Sequence, residues 1–233
     1  MAPNATNTIQ ISPPTRFHPT GPKLVAPPPP PLTWLERTWN VTHSTLPMWK
    51  RAKNRAKNVR ITYKILPRED GKGCCLDDEV VYDDIDGKPE GCFERWLGMR
   101  QIRGVDWWDG TEEGEGEGEG KEDGKEGDVR EEGMGSRYRK WHWKGRGWLF
   151  ITGGSKWEIL GWGEVEGERW IVTWFEASLF TSAGLDIYSE GREGLSAGLY
   201  EEIMRNLEDV GELEGCEELG KIVKGMFGVK IDL

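Results

Sequence analysis

The sequence predicts a mainly β fold: an antiparallel up-and-down β-barrel of eight to ten strands with two C-terminal α-helices. Three observations carry this. From residue 33 onward the dominant hydrophobic period is two. The links between the alternating segments are short and glycine-rich. Beyond residue 190 the period changes to that of a helix.

Taken in order, Trp39, Val41, His43 and Thr45 alternate with Asn40, Thr42 and Ser44. Val59, Ile61, Tyr63 and Ile65 then alternate with Asn58, Arg60, Thr62 and Lys64, the pattern of a strand with one wet face. Further strand candidates are 79–85, 99–107, 137–144, 148–152, 156–163, 169–176 and 185–189. Their connections at 144–147, 153–155 and 163–167 read as hairpins, so the sheet is a meander. A long meander with one apolar face must close or stack to remove its edges. Leu195, Leu199, Ile203 and Leu207 with Met204 form one helical stripe; Leu213, Cys216, Leu219, Ile222, Val223 and Met226 form another, and Gly211 separates them. A last strand is expected at Val229-Lys230-Ile231.

This gives a disordered Pro-rich arm over 1–31, a barrel over 32–190 with a disordered insert at 110–136, and helices packed on the barrel over 191–233. Most of the 13 prolines lie in the arm, where Pro27 to Pro31 suit a polyproline II ligand for an aromatic groove. The insert is a Glu/Gly repeat that carries most of the net charge of −10, and it has no apolar face with which to offset its ordering entropy. The remaining body is near neutral, which argues against nucleic acid. The basic run Lys50, Arg51, Lys53, Arg55, Lys57 and Arg60 has no interleaved aromatics and reads as a solvated turn. No apolar run is long enough for a spanning helix, and no secretory leader is evident, so a cytoplasmic setting with reduced thiols is expected for Cys74, Cys75, Cys92 and Cys216.

Thirteen tryptophans are the informative excess. Trp141 and Trp143 share one strand face, as do Trp170 and Trp174 with Val172 between them. Indoles at alternate positions of a closed barrel line either a cavity for a flat, apolar ligand or a core filled by its own side chains. The expected ligand-binding set is Trp39, His43, Tyr63, Arg103, Trp141, Trp143, Trp170 and Trp174. Arg103 is placed on an inner face with Met99, Gln101 and Val105, Glu176 on that of Trp174, and His43 on that of Trp39.

Catalysis has weaker sequence support. Neither a serine-nucleophile elbow nor a zinc motif occurs, and Gly215–Lys221 misses a phosphate-binding loop because Ile222 stands at the hydroxyl position. Neither a cofactor nor a metal is expected. The candidate proton-transfer groups are His43, Arg103 and Glu176, as an inner acid, base and cation set.

The order of elements, with Thr38-Trp39-Asn40-Val41 in the first strand, then a meander, then a helix, resembles the lipocalin and fatty-acid-binding (calycin) superfamily over roughly residues 33–208. The segments 141–149 (WHWKGRGWL) and 157–162 (WEILGW) resemble small fungal proteins of lipocalin-like type. Arg37 stands where lipocalins carry the glycine of Gly-x-Trp. The resemblance implies binding of a small hydrophobic molecule, or, as in some barrels of fungal secondary metabolism, cofactor-free cyclisation or isomerisation. A third class of function is a protein-interaction module acting through the Pro-rich arm or the acidic loop.

Overall fold

The computed structural model describes residues 9–19, 26–50, 56–66, 75–84, 101–108, 139–146, 154–178 and 181–232. The acidic insert at 110–136 and the strand candidate at 148–152 lie outside them. Eight antiparallel strands form the barrel: β1 (Thr38–Ser44), β2 (Ala56–Leu66), β3 (Cys75–Asp84), β4 (Gln101–Trp108), β5 (Lys140–Gly145), β6 (Gly154–Val165), β7 (Glu168–Phe175) and β8 (Gly184–Ser189). Each pairs with the next, and β1 pairs with both β2 and β8, which closes the ring. This is the closed antiparallel barrel that the sequence predicts. The tight β6–β7 hairpin shows why the meander reverses where it does. Glu166 (φ 51) and Gly167 (φ 84) both take left-handed conformations, as a two-residue turn matched to strand twist requires.

The last strand is not at the expected Val229–Ile231 but just before it: β9 is Phe227–Gly228, and Lys230 makes only an isolated bridge to Lys57. This β9 pairs with His43 and Ser44 of β1. The Val229 N–H then donates to Thr42 O, and the Asn58 N–H donates to Lys230 O, each at 2.8 Å. The tail thus sits between the second half of β1 and the first half of β2, whose direct pairing runs only from Thr38↔Thr62 to Asn40↔Arg60.

The described residues also form four helices: α1 (Leu32–Leu35), α2 (Pro47–Lys50), α3 (Ala197–Gly211) and α4 (Glu217–Val223). Ser196 caps α3 by accepting from the Leu199 N–H. The α3 stripe of Leu199, Ile203, Leu207 and Val210 is buried against the outside of the barrel with Leu219 and Val223 of α4. The two helices meet at glycines: a Cβ on Gly211 would lie 2.7 Å from Gly220 Cα. There are therefore two cores, one inside the barrel around Trp39, Tyr63, Trp141 and Trp157, and one outside between β6–β8 and the helices.

The Pro-rich arm is not a free appendage where it is described. Ile9, Ile11 and Phe17 are buried in the outer core, with Phe17 edge-on to Trp174 at 5.7 Å. Ser12 N and Oγ both donate to Leu160 O, and Thr15 N donates to Glu158 Oε1 at 2.9 Å. The physical reason is a β-bulge: the register of β6 slips between Ile159 and Gly161, which leaves the Leu160 carbonyl outside the ladder and available to the strap. The polyproline run docks on its own barrel. Pro29 and Pro30 are buried, the Trp162 indole donates to Pro28 O at 2.5 Å, and Pro31 precedes α1.

Candidate functional site

Which side chains enter the barrel follows from register, because directly opposed residues on paired strands share a face. Trp39 and Val41 point inward, and Val41 opposes Tyr188. The register then slips between Val41 and His43, so His43 opposes Ile187 of the outer core and Ser44 returns inward against Asp186. His43 is therefore outside, not on the Trp39 face expected for it. Its ring stacks on Tyr200 of α3 at 3.8 Å, and burial there lowers its pKa to about 4, so it is neutral and held for packing.

Three more expected inner residues lie outside. Trp170 and Trp174 face the helices and the strap, while Ile171, Thr173 and Phe175 take the inner phase of β7. Arg103 projects outward and donates from Nε and Nη2 to Glu79 Oε1 at 2.8 and 2.6 Å, an exposed ion pair of little energetic weight. Ile102, Gly104, Asp106 and Trp108 occupy its strand's inner phase; a side chain at Gly104 would collide with the Trp143 ring. Glu176 shares the outer side with Trp174 as expected of the pair, and lines a surface cleft of about 140 Å³ with Thr15, Lys156 and Glu158.

Trp39, Tyr63, Trp141 and Trp143 do turn inward. Trp157 joins them, its ring parallel to both Tyr63 and Trp141 at 5.8 Å. The sequence reading missed the acids. Asp78, Asp106 and Asp186 all sit in the inner phase, where Tyr63↔Asp78, Leu76↔Asp106 and Ser44↔Asp186 are opposed pairs. Asp106 is fully buried, and its Oδ1 accepts from the Trp157 indole at 2.7 Å. Asp186 accepts from Ser44 Oγ at 2.5 Å and from the Trp49 indole of α2 at 3.4 Å. Asp78 is hydrogen-bonded by the Trp143 indole. Asp78 Oδ1 and Asp106 Oδ2 are buried without a hydrogen-bond partner, and the buried Tyr188 hydroxyl lies beside Thr173 and Tyr63.

The electrostatics follow from burial. Loss of solvent pushes the Asp106 and Asp186 carboxyls up from 3.8 to about 7, against the opposing effect of their indole and hydroxyl donors. Asp78 is raised well above the carboxylate range by burial and then by the charge of Asp106. Burial likewise raises the phenols of Tyr63 and Tyr188. Of the described strand residues, Arg169 is the one Lys or Arg in the inner phase, and it is held by Glu164 and Glu190 at 2.7 and 3.1 Å. Among the described residues no group of three potential ligands could hold a metal ion.

No family model matches the chain, and no curated protein matches it. Solved structures do match, among them apocrustacyanin C1, with a TM-score of 0.45 and 11% identity over 85% of this chain and 78% of that one. The barrel assignment rests on the strand order and registers above. No helix among the described residues is long and apolar enough to cross a membrane.

A signal for the acids was present in the sequence. Asp106 and Asp186 sit within apolar strand segments (Gly104-Val-Asp-Trp-Trp108 and Gly184-Leu-Asp-Ile-Tyr188), where a charged group is out of place unless it serves a purpose.

Proposed function

We propose that the barrel binds a small molecule with a planar, mainly apolar body against its inner indoles. One observation supports this most: a buried oxygen of Asp78 and one of Asp106 stand unpartnered among Trp141, Trp143, Trp157 and Tyr63. A core serving packing alone is expected to satisfy its polar groups or to lack them. Aromatic walls with a few convergent polar atoms are what small-molecule sites use. The test is fluorescence titration of the whole chain with fatty acids, terpenoids and aromatic polyketides. Stacked indoles that receive a ligand change their emission, and saturable quenching is expected for a planar aromatic class. Lack of saturation with every class would refute the reading.

A second reading, a cofactor-free isomerase or cyclase, is favoured by Asp106 and Asp186, whose carboxyls titrate near 7 and so suit proton transfer at neutral pH. In that reading the acid–base groups are these aspartates in place of His43, Arg103 and Glu176, which all lie outside the barrel.

A further inference from the structure

We propose that the inner acids and Tyr188 form a head-group site for a small organic cation, a primary ammonium on a planar apolar body. This rests on the ligand-binding reading above and adds to it the ligand's charge. Asp78, Asp106 and Asp186 enter the barrel interior from β3, β4 and β8; Asp106 acts on Asp78, and Asp78 and Asp186 both act on Tyr188. Among the described strand residues the inner phase offers these acids no cation except Arg169, which two glutamates already engage.

Their donors are all neutral N–H and O–H groups: Trp143 on Asp78, Trp157 on Asp106, Ser44 and Trp49 on Asp186. Two buried carboxyl oxygens remain unpartnered, Asp78 Oδ1 and Asp106 Oδ2, and the Tyr188 hydroxyl, beside Thr173 and Tyr63, keeps acceptor capacity. An ammonium group carries three N–H donors and needs no acceptor in return. The rings around it suit the same charge, since indole and phenol faces attract cations. An apolar ligand would leave the two carboxyl oxygens desolvated and unpaired, and an anion would face like charge. Among the described residues no group of three acids, histidines or cysteines could hold a metal ion.

Ammonium binding must also displace a proton. At neutral pH the titratable groups facing the site are Asp78, Asp106, Asp186, Tyr63 and Tyr188, with Asp77 of β3 acting on Asp78 from the outer side. A cation favours the ionised carboxylate, so each amine taken up near pH 7 expels up to one proton.

The experiment is calorimetric titration of the whole chain at pH 8 with tryptamine and 2-phenylethylamine, against the neutral indole-3-ethanol and 2-phenylethanol. The amines should bind at least tenfold tighter than the alcohols. At pH 7, heats in phosphate and Tris buffers should differ by the ionisation enthalpy of the buffer, which reports proton release. Asp106→Asn should remove the amine preference, so that each amine and its matching alcohol bind within twofold of one another. Tyr188→Phe, which keeps the ring, should weaken amine binding severalfold. Outward Glu79→Gln should change neither. Alcohols binding as tightly as amines, or an Asp106→Asn and Asp78→Asn pair that both retain the preference while folded, would overturn the charge assignment and leave the ligand reading standing. Lack of saturation with all four probes and with the neutral classes above would overturn both.

Discussion

Asp186 offers a perturbation whose sign is set by burial. The variant is Asp186→Asn. In the folded chain this carboxyl titrates at about 7, against 3.8 in the open chain. Between those values the unfolded state has lost the proton that the folded state keeps. Stability is therefore fully present below pH 3.8 and falls as pH rises, and the loss is complete above about pH 7. At about 1.36 kcal/mol per pH unit the loss is about 4 kcal/mol. Asparagine does not ionise and escapes it. Its cost is one acceptor: the amide oxygen retains either the Ser44 or the Trp49 donor, while its NH2 turns to the other, a loss of about 1 kcal/mol. The variant should therefore be about 1 kcal/mol less stable than the parent below pH 4, equal near pH 4.5, and about 3 kcal/mol more stable at pH 8. Urea unfolding followed by tryptophan emission at several pH values measures this. His43 adds an opposing slope between pH 6.5 and 4, but it is common to both proteins and cancels in the difference. A variant destabilised equally at every pH would refute the reasoning, since the parent's carboxylate would then carry no burial penalty.

Other outcomes follow from the same geometry. Trp157→Phe removes the 2.7 Å donor to Asp106 and should cost about 1–3 kcal/mol in urea unfolding at pH 7; an unchanged midpoint would mean that the indole does not hold the acid. In Gly161→Ala the new methyl meets Gln10 O at 2.6 Å and Ile11 Cγ1 at 2.9 Å, so the strap over 9–17 should lift, at about 1–3 kcal/mol, and become cleavable by trypsin at Arg16. Gly211→Ala pushes α3 from α4 and should lower the melting temperature by several degrees without altering the strand signal in circular dichroism. His43→Gln should gain stability relative to its parent as pH falls from 6.5 to 4, because the parent's buried imidazole resists a proton that the unfolded chain accepts.

The strands and helices were legible because period two and period 3.6 survive in the sequence wherever one face is wet. The inside of the barrel was legible only in part, for two physical reasons. Bulges in β1 and β6 add a residue and invert the phase, so that counting by twos from Trp39 carries His43 to the wrong side. Helices and strap also cover one flank, so both faces of β7 and β8 are buried; in Trp170-Ile-Val-Thr-Trp-Phe175 neither parity is polar enough to mark the outside. The heavier indole parity was taken as inner, and it packs outward instead. In β4 the same preference for apolar and long side chains favoured Gln101, Arg103 and Val105 over the parity holding Gly104 and Asp106. The strap escaped notice because Ile9, Ile11 and Phe17 are isolated apolar residues among prolines, and their partner, the free Leu160 carbonyl, exists only after the bulge has formed.

The seam between β1 and β2 bears on the order in which the chain is made. Only the first half of β1 meets β2 directly; the rest of the gap is filled by residues 227–230, which are synthesised after every other strand and both long helices. Until they emerge from the ribosome, half of each flanking strand has an unpaired backbone edge. Such an edge invites pairing with other chains. A ribosome stalled before residue 227 would hold a wall with a slot in it, and the completed chain would close that slot from its own far end.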